Sequence, residues 1–150
     1  MSSEDVELVL SLQLGVNEDA ASLASDADAR AAYLAKVADY LDPEFVCVMR
    51  FPGINPVTYR GGVEALRAAW EDRLKYWAEY RPEIEGVIDA EGKVVVFHRA
   101  YVRRTATSAE RVLSVAAVWT VRGHRLVAAE FNVPQAEARA IAYETSVRNA

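Results

Sequence analysis

Few side chains in this sequence are equipped for chemistry, and His98 is the foremost of them. Along the stretch 93–104, alternation puts Val94, Val96, His98, Ala100 and Val102 on one face and Val95, Phe97, Arg99, Tyr101 and Arg103 on the other. The first face is the more apolar and is expected to point into the protein. His98 is then its one ionisable group. An imidazole that titrates near working pH can act as a general base or donate a hydrogen bond to a carbonyl. The competing reading is a core histidine satisfied by a helix residue such as Tyr33 or Tyr40. Tyr40, Trp70 and Trp119 are expected along the same wall, with plain core packing as their competing role. Tyr59, ahead of the third helix, is placed at the mouth of the space they enclose.

Other chemistries are set aside by residue type. His98, His124 and the single Cys47 have no zinc-ligand spacing, so no metal is expected. Cys47 stands in an apolar run and reads as an inert thiol; one cysteine forms no internal disulfide, and a reducing cytoplasm is expected. Gly61-Gly62 lacks the Lys-Ser/Thr of a phosphate loop, and no serine sits in a nucleophile elbow. No cofactor is expected. The first 45 residues hold ten acidic side chains against Arg30 and Lys36, and the isoelectric point is near 5.1. Scattered single basic residues then exclude a nucleic-acid face. No apolar run approaches the roughly 18 residues of a membrane span, and Met1-Ser2-Ser3-Glu4-Asp5 is acidic where a secretory leader is basic.

The elements that must position these residues follow from periodicity. Val6, Leu8, Val9, Leu12 and Leu14 predict a short helix ending at Gly15, with a loop or break over 17–25. Asp26 or Asp28 caps a second helix running to Leu41 and stopped by Asp42-Pro43. Phe45 to Met49 reads as a strand, and Pro52 to Pro56 as a loop. A third helix opens after Gly61-Gly62 and closes at Arg81-Pro82, with Leu66, Trp70, Leu74 and Trp77 as its apolar stripe. Strands over 83–90, 93–104, 110–121 and 124–133 form an antiparallel meander, and the segment after Pro134 is weakly helical. Helices followed by a curved antiparallel sheet make an α+β domain of residues 1–150, with 1–25 and 135–150 peripheral. A bent sheet over helices leaves a cone in which a small molecule can sit.

The run Tyr59-Arg60-Gly61-Gly62-Val63-Glu64-Ala65-Leu66-Arg67-Ala68-Ala69-Trp70 carries a resemblance, together with Leu41 to Val46 before it and Val118-Trp119-Thr120-Val121-Arg122-Gly123 after it. It resembles the SnoaL-like polyketide cyclases and ketosteroid isomerases of the nuclear transport factor two-like superfamily. The resemblance implies a cone-shaped, cystatin-like α+β fold that dimerises through the convex side of its sheet. It also implies where chemistry is placed, and those places are empty of it. Val48-Met49-Arg50-Phe51 holds no carboxylate where an isomerase base stands, and Ala117 and Phe131 occupy the positions of a cyclase His and Asp. Tyr40 and Trp70 match tyrosines of the isomerase hydrogen-bond network. The phase of the last strand is open. A two-residue Arg122-Gly123 turn puts Glu130 on the Trp119 face, whereas a three-residue loop puts Ala129 and Phe131 there and sends Glu130 to the convex side, near Arg99, Arg103 or Arg125. The alignment favours the second. The expected function is binding of a small apolar or carbonyl-containing molecule among Tyr40, Tyr59, Trp70, His98, Trp119 and Phe131, with metal-free proton transfer by His98; the alternative is a non-catalytic dimeric interaction or ligand-sequestering module.

Overall fold

Asp26 opens the first well-capped helix: its carboxylate accepts hydrogen bonds from the amides of Asp28 (2.9 Å) and Ala29 (3.1 Å), which would otherwise be orphaned at the helix start. The computed structural model describes residues 3–12 and 26–148; the expected helix end at Gly15 and the loop over 17–25 lie outside them. Its elements are α1 (Ser3–Leu12), α2 (Ala27–Ala38), β1 (Leu41–Met49), β2 (Val57–Arg60), α3 (Val63–Tyr76), β3 (Glu79–Asp89), β4 (Lys93–Arg103), β5 (Arg111–Arg122), β6 (Arg125–Pro134) and α4 (Gln135–Arg148). The strands form one six-stranded sheet in the order β2-β1-β6-β5-β4-β3. The meander β3 to β6 is antiparallel as expected, but β1 joins β6 in parallel, so the sheet is mixed.

Three boundaries differ from the sequence reading, each for a local reason. α2 stops at Ala38, and Leu41 is instead the buried first residue of β1, paired with Leu126 before an irregularity over 42–45. α3 stops at Tyr76, with Trp77 already extended, and Pro82 lies inside β3 opposite Ala100. Proline is tolerated there because β3 is the outer edge of the sheet and need not donate on its free side. Tyr59 belongs to a short edge strand, β2, and not to a loop.

Two irregularities in β6 settle the phase that was open. Gly123 (φ 59°) and His124 (φ 61°) form a two-residue turn between the paired Arg122 and Arg125, the left-handed pair that a tight hairpin requires. One extra residue then enters β6 between the pairs Val121 with Leu126 and Thr120 with Ala128. That bulge reverses the phase which the short turn alone would impose. Trp119 therefore faces Ala129, and Val118 faces Glu130.

The main core lies between helices α1 to α3 and the inner face of the sheet, where Phe45, Met49, Leu66, Trp70, Val94, Val96 and Trp119 pack together. α4 is firmer than the sequence suggested. Ala138 and Ala142, one turn apart, seat it on the opposite face against Val95, Phe97, Val118 and Val133, and Arg139 lies 5.0 Å over the Phe97 ring.

Candidate site in the cone interior

Within the inner core, polar groups gather where apolar side chains would pack without them. Arg73, on α3, is only 8% exposed. Its guanidinium carbon lies 4.4 Å over the Tyr80 ring and 5.7 Å from the Phe131 ring, and Nη2 is 3.7 Å from the Met49 sulfur. Arg73 makes no ion pair among the described residues, and its Nε has no hydrogen-bond partner. Stacking on π faces orients a guanidinium without neutralising it.

Behind Arg73 the network continues. The Tyr80 hydroxyl donates to Asn132 Oδ1 at 2.9 Å and lies 3.4 Å from His98 Nε2. Asn132 Nδ2 donates to the Met49 sulfur (3.5 Å) and to the Arg50 carbonyl (3.4 Å). Asn132 reaches inward because its backbone adopts φ 61°, a left-handed conformation that asparagine accepts more readily than most residues. A hydroxyl has one proton, and Asn132 takes that of Tyr80. His98 Nε2 is thus the donor to the Tyr80 oxygen, and the lone pair is assigned to Nδ1, which has no hydrogen-bond partner. His98 is 3% exposed. Burial, and then the positive charge of Arg73, lowers its pKa to about 4; the Val96 backbone and Glu85 act in the other direction and are outweighed. The imidazole is neutral at pH 7.

Arg73 also borders a small, partly enclosed chamber of about 10 Å³. α3 contributes Leu66 and Trp70 to its walls, the sheet contributes Trp119 and Phe131, and α1 and α2 close it with Leu12 and Tyr33. The Tyr33 ring stacks on Trp70 at 4.7 Å, and its hydroxyl donates to the Leu12 carbonyl. Among the expected wall residues, Trp70, Trp119 and Phe131 are thus brought together. His98 is inward as expected but lies off the chamber wall, joined to it through Tyr80 and Arg73. Its neighbour is Tyr80, and neither Tyr33 nor Tyr40.

Tyr40 stands apart: it is 42% exposed on the turn between α2 and β1, where the earlier end of α2 points it outward. Tyr59 is buried on β2, and its hydroxyl donates to Asp72 at 2.7 Å, tying the edge strand to α3 away from the chamber. Glu130 is on the outer side, and its partner is Arg50 at 3.4 Å, which also binds Glu137 at 2.7 Å. Arg99 pairs with Glu85, Arg103 with Glu79, and Arg125 donates to the Leu41 carbonyl. Arg73, Tyr80 and Asn132 went unremarked in the sequence. The signal for Arg73 was present: it falls three residues after Trp70 and seven after Leu66, inside the apolar stripe, and it takes the place that the sequence reading gave to Leu74.

A more open groove of about 320 Å³ lies outside the cone, bordered by Phe51, Ile54, Val57, Asp72, Tyr76 and Arg104. It holds no buried unpaired polar atom among the described residues. No group of three or more metal-ligating side chains occurs among the described residues, and none of their helices is long and apolar enough to cross a membrane.

Comparison with known proteins supplies the family. The model of the SnoaL-like domain matches residues 25–129. The chain belongs to this family. Among solved structures, a nuclear transport factor two-like protein of unknown function from Burkholderia pseudomallei aligns at 19% identity over 93% of this chain and 98% of that one, with a TM-score of 0.61. TerC, crystallised with polyporic acid, aligns at 16% identity over 94% and 99%, with a TM-score of 0.60. A protein described as a SnoaL-like polyketide cyclase from Mesorhizobium loti aligns at 16% identity over 83% and 95%, with a TM-score of 0.55. At these identities the likeness concerns the fold, which is the α+β cone expected from the sequence. No match is found among curated proteins.

Proposed function

We propose that this SnoaL-like chain binds a small, mostly apolar, carbonyl-containing molecule in its cone, between Trp70, Trp119 and Phe131, with Arg73 as the polar contact. The observation that carries this reading is the buried Arg73, without an ion partner among the described residues and bordering a chamber of aromatic walls. An unsatisfied buried polar atom costs about 1–3 kcal/mol, and a ligand oxygen at Arg73 offsets that cost. Where the bound molecule reacts, the reading is cofactor-free proton transfer of the isomerase or cyclase type, with Arg73 stabilising the charge that develops on oxygen. The proton leaves by a relay that uses the other His98 tautomer: with the proton on Nδ1, Nε2 takes the Tyr80 hydroxyl proton as the Tyr80 oxygen takes one from the ligand.

Differential scanning with aromatic ketones and hydroxyquinones tests binding. At a hundred times Kd the melting temperature of a chain of this size should rise by roughly 5–10 °C. If no compound moves it, the binding reading fails. On any substrate so found, His98→Gln should abolish turnover while the fold persists; full turnover would return His98 to the core.

A second reading, a non-catalytic module, is favoured by the chamber itself, whose 10 Å³ hold a single water and no more. In that reading the outer face of the sheet, where Ile88 and Val112 are exposed, is the homodimer surface. Sedimentation giving a dimer mass, together with no thermal response to any ligand, would select it.

A further inference from the structure

We infer that the ligand of the cone is an anion, a carboxylate or an enolate carried on a small apolar body and held by the Arg73 guanidinium; the inference rests on the binding reading above and narrows it to one chemical class. The contrast with the other arginines carries it. Arg50, Arg67, Arg99 and Arg103 are partly exposed, and each is paired with at least one glutamate. Arg73 is the buried one, and its neighbours are a thioether sulfur and two aromatic rings. A buried cation without a counter-ion is the least favourable arrangement of charge in a protein interior. Among the described residues no carboxylate borders the chamber to repel an incoming anion, and His98, behind Tyr80, is neutral.

Geometry agrees with charge. The chamber beside Arg73 holds one water as it stands and marks where a head group would enter once its walls part, while Leu66, Trp70, Trp119 and Phe131 present the apolar surface that a hydrocarbon body would cover. The guanidinium fork donates side by side to two carboxylate oxygens, a match that a neutral amide or ketone cannot make. Head group and body together require Tyr33 and Leu12, the two wall residues supplied by α2 and α1, to move aside.

The test titrates the full chain with 1-naphthoate and with its neutral isostere 1-naphthamide, following the melting temperature. The inference expects the carboxylate to bind at least about tenfold more tightly than the amide. It also expects Arg73→Met to erase that difference while unfolding cooperatively at or above the wild-type temperature, since the substitution removes an uncompensated charge. Equal binding of the two compounds to the wild type would overturn the anion claim and leave the binding reading standing. No binding of either would count against both. An Arg73→Met variant that melts far below the wild type, or fails to fold, would show that the cation is structural and would likewise overturn the anion claim.

Discussion

His98 makes the interior sensitive to acid. Its folded pKa is lowered to about 4, whereas an unfolded histidine titrates near 6.5. Between those values the unfolded chain binds the extra proton, so stability is fully present above about pH 6.5 and is lost as pH falls towards 4. The two values correspond to about 3 kcal/mol in total. Urea unfolding at pH 7.5 and pH 4.5 should show most of that loss, and His98→Gln should flatten the difference; an unchanged slope in the variant would assign the acid sensitivity elsewhere. Cys47 behaves oppositely: burial pushes its thiol up to about 12, with Arg73 opposing weakly. Iodoacetamide at pH 8 should leave the folded protein unmodified and label it in denaturant, and rapid labelling of the folded state would contradict the burial. At this scale the burial of His98 was legible from alternation alone. Arg73 was not, because an arginine on a helix ordinarily extends to solvent, and only its place among Leu66, Ala69 and Trp70 marked it.

Between elements, backbone conformation decides what side-chain pattern cannot. Gly62 stands at the start of α3 with φ 70°, and a Cβ there would lie 2.8 Å from the Pro43 carbonyl oxygen. Gly62→Ala is therefore strained in both torsion and contact, and should cost about 1–3 kcal/mol, read as a lower melting temperature. A neutral outcome would mean that the β1 to α3 junction yields freely. Asp26→Ala removes the two cap bonds of α2 and should cost about 1 kcal/mol, whereas Asp26→Asn should cost little. The meander, its turns and the start of α3 were readable because alternation and glycine placement are local signals. The end of α3 and the short strand β2 were not, since each depends on a sheet neighbour: an edge that admits Pro82 and a partner for Tyr59; the phase of β6 followed the family alignment, but through a bulge after a two-residue turn rather than the three-residue loop expected.

For the molecule as a whole, the cone was legible from the order of elements and from the family resemblance, but its closure was not. Whether a curved sheet and three helices leave open space depends on side-chain packing to within a methyl group. Here the stack of Tyr33 on Trp70 and the seating of Leu12 reduce that space to about 10 Å³. A ligand-binding account requires the closure to yield, with the aromatic walls sensing the occupant. The chain has three tryptophans: Trp70 and Trp119 border the chamber, while Trp77 packs in a separate cluster with Ala100, Val102 and Val115. The direct measurement is a ¹H–¹⁵N spectrum of the three indole groups, assigned by single Trp→Phe variants and followed as 1-naphthoate is added. The account predicts saturable movement of the Trp70 and Trp119 signals with Trp77 moving least. Saturable shifts confined to the outer groove around Phe51, Ile54 and Tyr76, with both chamber indoles unmoved, would contradict it.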